Sequence, residues 1–350
     1  MDFLGLKTLT VIADAVENIR RTVDPKFDIE KISLEDARTF ALLNSGRTTG
    51  VFQLESGGMQ NLCRQIGLSS IDEIVALIAL YRPGPMENIP TYCEVKNGLK
   101  ERESVHSSID HILEETQGII VYQEQVMQIA QVMAGYSLGG ADLLRRAMGK
   151  KIAEEMAKER PKFEKGAMEN GVDKKKASEV FDLLEKFANY GFNKSHAAAY
   201  AVVSYQTGWL KANHPVEFMS GVMNCDMHLT DKLAVYKREI GKLGIKTIAP
   251  CVNASLASFT VREGAVVYAL GALKGVGEGA MEQVVAERAA NGPFLSLDDF
   301  ADRISARLLN RRQIESLAAA GAFDVLETNR AGVYAVAETL LAVAAEAEAA

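Results

Sequence analysis

The sequence has 350 residues, which is long enough for two or three domains. Its 48% hydrophobic and 24% charged residues are typical of a soluble globular protein, and its formal net charge of −7 excludes a global basic field that would attract nucleic acid. The four cysteines are far apart and form no C-x-x-C pair, and the five histidines are scattered. This pattern excludes a disulfide framework and a zinc site.

The sequence contains no pattern that predicts targeting or membrane insertion. The N-terminus has no basic segment before an apolar run, so it is not a signal peptide. The longest uncharged stretch, residues 195–210, is too short and too polar to span a bilayer. We therefore expect a soluble, cytoplasmic protein with no membrane partner. The apolar start D-F-L-G-L is an odd free end, as though the chain were cut from a longer one.

Apolar residues at helical spacing predict a succession of helices over the first two thirds of the chain. The predicted helices span residues 4–21, 33–43, 59–66, 71–80, 123–134, 152–170, 174–187, 196–213, 216–224 and 232–243. The run R-P-G-P at 82–85 stops helix formation. Residues 87–116 are polar and mixed, which predicts an extended surface excursion, and I-I-V-Y at 119–122 predicts a short strand or an apolar lead-in.

The character of the sequence changes near Ile245. Residues 259–268 alternate around the turn Glu263-Gly264, which predicts a β-hairpin. Residues 272–288 and 308–324 then read as two copies of one helix-turn-helix unit, and an Ala/Glu-rich helix follows. We therefore predict a mainly α fold, in which a multi-helix domain is followed by a small β-hairpin and tandem helix-hairpin-helix motifs.

Two stretches carry residue types that suit a phosphate. The first places Arg145, Arg146, Lys150 and Lys151 within seven residues, with no acid among them. Adjacent side chains on a helix point about 100° apart, so both guanidiniums could reach one ligand, and guanidinium forks match phosphate oxygens. A charged run on a helix is more often a solvated face, and that alternative stays open.

The second stretch, Y-G-F-N-K-S-H-A-A-A-Y at 190–200, leads into a helix of small residues. Lys194 and His196 lie at the start of this helix, and Tyr200 shares a helix face with His196 because the two are four residues apart. The two basic helix ends could converge on one polyanion. Alone, His196 would more often be a hydrogen-bonded core histidine.

A glycine-rich turn, G-V-G-E-G at 275–279, precedes a predicted helix. Glycines let backbone amides turn outward, and a helix N-terminus favours an anion. A dinucleotide-binding loop would need a βαβ unit, which the next segment does not provide, and a plain helix-helix turn is the other alternative. A second basic turn favours paired motifs that grip duplex backbone without reading its sequence. The candidate DNA-binding residues are Lys274, Gly275, Gly277, Gly279, Arg311 and Arg312.

Five longer runs carry a family resemblance. They are F-Q-L-E-S-G-G-M at 52–59, Y-R-P-G-P-M at 81–86, G-I-I-V-Y-Q-E-Q-V-M at 118–127, L-G-G-A-D-L-L-R-R-A-M-G-K-K at 138–151 and Y-G-F-N-K-S-H-A-A-A-Y-A-V-V-S-Y-Q-T at 190–207. These runs closely resemble the alpha subunits of bacterial DNA polymerase III, which are C-family replicative polymerases. The likeness covers nearly the whole chain and weakens after Asn329.

The resemblance implies the following domains: a palm remnant at 1–4, a fingers domain at 5–244, a duplex-DNA-binding helix-hairpin-helix region at 245–325, and a C-terminal helix or tail at 326–350. Relative to the family, we expect the PHP domain, the palm strand with two further aspartates, the OB fold and the clamp-binding segment to be missing from these 350 residues.

The resemblance also implies a reaction, in which a primer 3′-hydroxyl attacks the α-phosphate of a dNTP with the help of two Mg²⁺ ions. Asp2 matches the third catalytic aspartate and would be a metal ligand. The implied partners are primed template DNA, dNTP and, in the full-length protein, other subunits of the replication holoenzyme. The implied nucleotide-binding residues are Arg145, Arg146, Lys194, His196 and Tyr200.

One carboxylate is too little for a stable two-metal site, so we expect this chain to be inactive by itself. The alternative from another functional class is a non-catalytic module for DNA binding or assembly. A third alternative is a structural remnant that folds but binds nothing.

Overall fold

The computed structural model describes residues 5–150 and 153–349, so Asp2 and Lys151 lie outside the described residues. Within these ranges the chain forms seventeen α-helices and three short strands, which confirms the predicted mainly α fold. None of the helices described there combines the length and the apolarity that a membrane span requires. The helices are α1 (Lys7–Thr22), α2 (Ala37–Asn44), α3 (Gly57–Ile66), α4 (Ile71–Leu80), α5 (Ile89–Lys96), α6 (Gln123–Ala134), α7 (Leu138–Lys150), α8 (Ala153–Glu169), α9 (Lys174–Ala188), α10 (Lys194–Asn213), α11 (Pro215–Cys225), α12 (Thr230–Lys242), α13 (Glu278–Asn291), α14 (Leu297–Arg303), α15 (Arg311–Ala319), α16 (Arg330–Ala335) and α17 (Ala337–Ala349).

Packing divides the chain into two compact units. Unit A is Ser33–Gly208, and unit B joins the described residues up to Ile32 with those from Trp209 onward. Unit B is discontinuous because α1 packs along α11, where the Asn18 side chain donates a 3.3 Å hydrogen bond to the carbonyl oxygen of Glu217. These units follow packing rather than chain order, and the predicted domain boundaries stay a prediction.

The core of unit A lies among α6, α7, α8 and α9. Ile129, Leu144, Phe163 and Phe181 are fully buried there, and the two phenyl rings meet edge to face with their centroids 5.5 Å apart. Side-chain caps fix several helix starts: α4, for example, begins with a capping box between Ser70 and Glu73. The core therefore holds α6 and α7 in place beside α9, whose end leads into α10.

The prediction for residues 87–116 was partly wrong. Residues 97–108 form no helix or strand and are mostly exposed, as expected, but the segment also contains α5 and short 3₁₀ turns, and Tyr92, Ile109 and Leu113 are buried in the unit. Pro90 lies in the first turn of α5, where proline favours helix formation. A few widely spaced apolar residues anchor the segment, and such spacing produces no periodic signal in a polar stretch.

The predicted hairpin of unit B is confirmed. β2 (Thr260–Arg262) and β3 (Ala265–Val267) are antiparallel and are joined through Glu263 and Gly264, which both have positive φ. A two-residue strand, β1 (Thr247–Ile248), pairs parallel to β3, so the sheet order is β1-β3-β2. Beyond the sheet, a core with rings of Phe294, Phe300 and Phe323 in edge contact supports α13, α14 and α15.

Candidate functional site

The first candidate site surrounds the start of α10 in unit A. The Asn193 side chain accepts a 2.8 Å hydrogen bond from the backbone N–H of His196, which is the geometry of a helix N-cap. The carboxylate of Glu124, on α6, accepts from the backbone N–H of Lys194 at 3.0 and 3.2 Å. A negative charge at a helix N-terminus is stabilising, so α10 begins against α6 in a defined orientation.

The I-I-V-Y run reaches the same place. The backbone N–H of Phe192 donates to the carbonyl oxygen of Val121 at 3.0 Å, and that of Gln123 donates to Phe192 at 2.9 Å. Tyr122 and Phe192 thereby form an isolated parallel bridge. The run predicted as a short strand or an apolar lead-in is thus a single bridge that fastens the turn before α10.

Arg82 and Gly84 dock on the residues before α10. The guanidinium of Arg82 donates to the carbonyl oxygen of Tyr190 and lies 4.6 Å from the ring centroid of Phe192, and burial lowers its pKa. Gly84 has φ +97°, and an added Cβ there would lie 2.6 Å from the Tyr190 ring. Arg82 was not among the predicted site residues, although it lies in the family run 81–86, because R-P-G-P was assigned no role beyond stopping a helix.

An aromatic row follows the first turns of α10. The His196 ring lies 5.6 Å from Phe192 and 4.3 Å from Tyr200, and Tyr200 in turn lies 5.2 Å from Phe52, all between ring centroids. His196 is exposed and Tyr200 is half-buried. The predicted shared face of His196 and Tyr200 is therefore a ring-to-ring contact, extended at one end by Phe192 of the same motif and at the other by Phe52 of another motif.

The cation at the start of α10 is paired. The Lys194 ammonium lies 2.5 Å from a carboxylate oxygen of Glu115 and 5.4 Å from the ring centroid of Tyr122. Both side chains of the ion pair are partly exposed to solvent. Lys194 is therefore held beside the aromatic row by a carboxylate that lies 79 residues earlier in the chain.

Arg145 and Arg146 form a separate cluster on α7 around one carboxylate, that of Asp142. Asp142 accepts from Arg145 through one oxygen and from Arg146 through the other, each at 2.8 Å. The hydrogen bond from Arg145 is the main cause that lowers the pKa of Asp142. The basic run 145–151 contains no acid, but Asp142 lies three residues before Arg145 and four before Arg146 and is therefore on the same helix face.

The end of α7 lies beside the end of α9. A Cβ added at Gly149 would lie 3.7 Å from the carbonyl oxygen of Ala188, and the turn that starts α10 follows directly. The structure thus brings the two predicted basic helix ends into the same part of unit A. The guanidiniums contact Asp142, His196 and Tyr200 belong to the aromatic row, and Lys194 pairs with Glu115.

The second candidate site is the glycine-rich turn of unit B. Gly275 and Gly277 have φ values of +80° and +87°, and Gly277 is the N-cap residue of α13. Val276 between them is buried and anchors the turn, whereas Lys274 and Gly279 are exposed. An added Cβ at Gly277 would meet nothing within 4 Å, so the backbone at this helix N-terminus has open space on that side.

The start of α15 packs on this turn. Asn310 and Gln313 form a capping box, and the Gln313 amide donates a 2.5 Å hydrogen bond to the carbonyl oxygen of Val276. A Cβ at Gly275 would lie 3.8 Å from Nε of Arg312. Two turns that are 37 residues apart in sequence therefore form one surface, and Gln313, which joins them, was not among the predicted site residues.

The three predicted cations of this surface differ. Arg311 forms ion pairs with Glu315 at 2.6 Å and with Glu338 at 2.5 Å. Lys274 and Arg312 are exposed and form no ion pair with any residue in the described ranges. Their charge is therefore open to a ligand, whereas that of Arg311 is largely neutralised.

Both surfaces lie in or beside segments that match known families. Residues 8–171 match the model of the bacterial DNA polymerase III alpha subunit finger domain, and residues 244–333 match a helix-hairpin-helix motif. Proteins named DNA polymerase III subunit alpha are 54% identical in Caulobacter vibrioides, 49% in Thermus aquaticus and 48% in Escherichia coli. These matches cover 97%, 99% and 95% of this chain.

The chain belongs to the alpha-subunit family of bacterial DNA polymerase III. It spans 29–30% of the length of these curated relatives. The resemblance drawn from the five runs is confirmed, and so are the tandem helix-hairpin-helix motifs. Arg145 and Arg146 lie within the finger-domain match, and the surface formed by Lys274 and Arg312 lies within the helix-hairpin-helix match.

The described residues contain no site for the metal ions that the family implies. No group of three or more His, Cys, Asp or Glu side chains there is arranged to hold a metal ion. Asp2, the predicted ligand, lies outside the described ranges. The described residues therefore do not fit a two-Mg²⁺ centre.

Proposed function

We propose that this chain supplies the nucleotide-binding and duplex-contacting parts of a DNA-directed DNA polymerase, which adds dNTPs to a primer on a template strand. The observation that carries this proposal is the meeting of four of the five family motifs around the start of α10, with the fifth motif ending beside α9. Polar, charged and aromatic groups from several motifs thus lie together, which is the usual composition of a ligand site.

At the first site, Arg145 and Arg146 would bind the triphosphate of the incoming dNTP, and Lys194 would add a point charge. Guanidinium forks match phosphate oxygens and would stabilise charge on the departing pyrophosphate. A triphosphate carries more charge than one carboxylate, so it would compete with Asp142 for both arginines. His196 and Tyr200 would pack near the nucleotide or order the helix.

At the second site, duplex DNA would lie on the paired turns. The backbone amides around Gly275, Gly277 and Gly279 would bind phosphates, with Lys274 and Arg312 beside them. Contacts to phosphates carry no sequence information, so binding would be independent of sequence and would weaken with salt. Arg311 would contribute less because of its two glutamate partners.

We propose further that these 350 residues do not polymerise alone. In the intact enzyme the reaction would use metal ions, and Asp2 would contribute one carboxylate to that centre. One carboxylate is too few to hold two Mg²⁺ ions, which need several oxygen ligands. The other carboxylates, and the contacts to partner subunits of a replication complex, would come from the rest of a full-length subunit.

Titration of the purified chain with dATP tests the first site. Wild type should bind, and Arg145→Ala and Arg146→Ala should bind at least about tenfold more weakly, since a charge-assisted hydrogen bond contributes roughly 1.5–3 kcal/mol. Equal affinity in wild type and both variants would overturn the proposal.

Two assays separate the alternatives. Primer extension should detect no incorporation by the chain alone, and template-dependent incorporation abolished by Asp2→Ala would contradict the proposed inactivity. Salt-dependent binding to primed DNA without any dATP binding would favour the non-catalytic module. A chain that binds neither would be a structural remnant.

A further inference from the structure

A second basic surface lies in unit B, and it contains none of the residues assigned to the two sites. Helix α12 buries Leu233 and Tyr236, and its opposite side is exposed. We call the exposed cations on its C-terminal half and just beyond its end the α12 basic surface. Its members are Lys237, Arg238, Lys242 and Lys246.

The cations of the α12 basic surface lack partners. Within the described residues, none of the four side chains forms an ion pair or a hydrogen bond. The nearest acid on the helix, Glu239, is buried and pairs with Lys211 at 2.7 Å, and Asp231 lies at the other end of the helix. The described ion pairs neutralise none of these four cations, so their charge is open to a ligand.

Stabilisation of the helix terminus does not account for this surface. Cations in the last turn of a helix interact favourably with the macrodipole, and the effect fades beyond that turn. Lys242 is the basic residue in the last turn of α12. Lys237 and Arg238 lie before that turn, and Lys246 lies beyond the end of the helix, so at most one of the four charges has this explanation.

The N-terminal end of α12, rather than the α12 basic surface itself, borders the glycine-rich turn across a cavity of about 430 Å³. Thr230, the first residue of α12, and His228, two residues before it, line this cavity together with residues 274–277. From Thr230 the helix axis rises about 12 Å to Arg238 and about 18 Å to Lys242, at about 1.5 Å per residue. A duplex presents one phosphate charge per about 1.7 Å of its axis, so several phosphates span this distance.

We propose that the α12 basic surface is a further contact for the backbone of duplex DNA, along which the duplex held by the paired turns continues. The inference rests on the duplex contacts proposed above. The chemistry favours nucleic acid over an acidic protein, because lysine is depleted in protein–protein interfaces and three of the four residues are lysines. Phosphate contacts by flexible cations need no fixed geometry, which suits an exposed helix face.

The test measures duplex binding by fluorescence anisotropy over a salt series. The α12 variant carries Lys237→Gln, Arg238→Gln and Lys242→Gln. A control variant carries Lys158→Gln, Lys174→Gln and Lys175→Gln, which removes the same charge from exposed positions of unit A. On a duplex of about 24 base pairs, the α12 variant should flatten the plot of log K against log salt by up to about 2.7, at about 0.9 for each phosphate that is no longer neutralised. The control should keep the wild-type slope.

Two further variants separate the possible failures. The conservative change Lys237→Arg with Lys242→Arg should keep the wild-type slope, and circular dichroism should show unchanged helicity in all variants. If the α12 variant matches the control, this inference is wrong. If Lys274→Gln with Arg312→Gln also leaves binding unchanged, the proposed duplex contacts fail as well. If the variant Lys237→Arg with Lys242→Arg also shows a slope flatter than that of the wild type, positive charge is not what these positions supply, and the inference is wrong.

Discussion

The two candidate sites hold positive charge in opposite ways. In unit A, Arg145 and Arg146 share the carboxylate of Asp142, and Lys194 pairs with Glu115. In unit B, Lys274 and Arg312 have no ion-pair partner within the described residues. Paired cations are held in one geometry, which suits a compact ligand that can replace the carboxylates. Unpaired cations suit an extended polyanion, whose binding is driven by release of its counter-ions.

The glycines at the two sites differ in how closely other residues surround them. Gly84 in unit A has a positive φ and is closed in by the ring of Tyr190, whereas Gly277 in unit B has a positive φ in open space. The first glycine is required by packing between motifs. The second leaves room for a ligand to approach the backbone. The first site is thus part of the packed structure, and the second is an accessible turn.

The largest expected effect is on folding. Gly84→Val should lower the free energy of unfolding by about 2–6 kcal/mol, because roughly 1–3 kcal/mol of backbone strain adds to about 1–3 kcal/mol of overpacking against Tyr190. Gly277→Val should cost only the strain, about 1–3 kcal/mol, and should weaken duplex binding by blocking phosphate approach. Urea denaturation of both variants measures the free energy of unfolding. Equal destabilisation by the two variants would contradict the proposed difference between a packed and an accessible glycine.

The next effect is on catalysis in an intact alpha subunit. Arg146→Ala should lower kcat/KM for dNTP by about one to two factors of ten, because it removes a charged hydrogen bond worth roughly 1.5–3 kcal/mol in the transition state. Arg145→Ala should act in the same direction. Lys174→Ala, at an exposed position on α9, is the control and should change little. Unchanged kcat/KM in both arginine variants would mean that these residues are structural.

A smaller effect distinguishes the cations of unit B. Lys274→Gln with Arg312→Gln should flatten the salt dependence of duplex binding by about 1.8, because two phosphates would no longer be neutralised. Arg311→Gln should leave the slope nearly unchanged, because Glu315 and Glu338 already neutralise that side chain. Fluorescence anisotropy with two unrelated duplexes measures both. A strong preference for one duplex would contradict this interpretation. So would a change in slope for Arg311→Gln that equals, per charge removed, the change for Lys274→Gln with Arg312→Gln.

The smallest effect tests competition at Asp142. Asp142→Asn keeps the shape of the side chain and removes its charge, so inorganic tripolyphosphate should bind about threefold more tightly, as expected for one like charge removed at several ångströms in water. Hydrogen bonds from Arg145 lower the pKa of Asp142, so this carboxylate is ionised at neutral pH and the substitution does remove a charge. Asp182→Asn, which faces Arg160 on another helix, is the matched control. Weaker binding in Asp142→Asn would mean that Asp142 positions the arginines rather than competing for them.

The sequence predictions were accurate where the pattern that supports them lies within a few consecutive residues. Helix α6 has the predicted bounds, and the β2–β3 turn lies where Glu263-Gly264 predicts it, because periodicity and turn chemistry act over a few residues. Helix α5 and the buried ends of residues 87–116 were not predicted, since isolated buried residues such as Tyr92 leave no local pattern. Asp142 could have been found from its helical spacing to Arg145 and Arg146, and was overlooked.

The sequence by itself determined the family, the mainly α fold and the residue types that suit phosphate, since these depend on local patterns and on long motifs. Only the tertiary structure decided which charges are open. Glu115 reaches Lys194, and Gln313 joins the start of α15 to the turn at Val276, although each pair is far apart in the chain. The pairing of a charged side chain depends on what the fold brings within a few ångströms, because electrostatic interactions at a surface are short-ranged in water and salt.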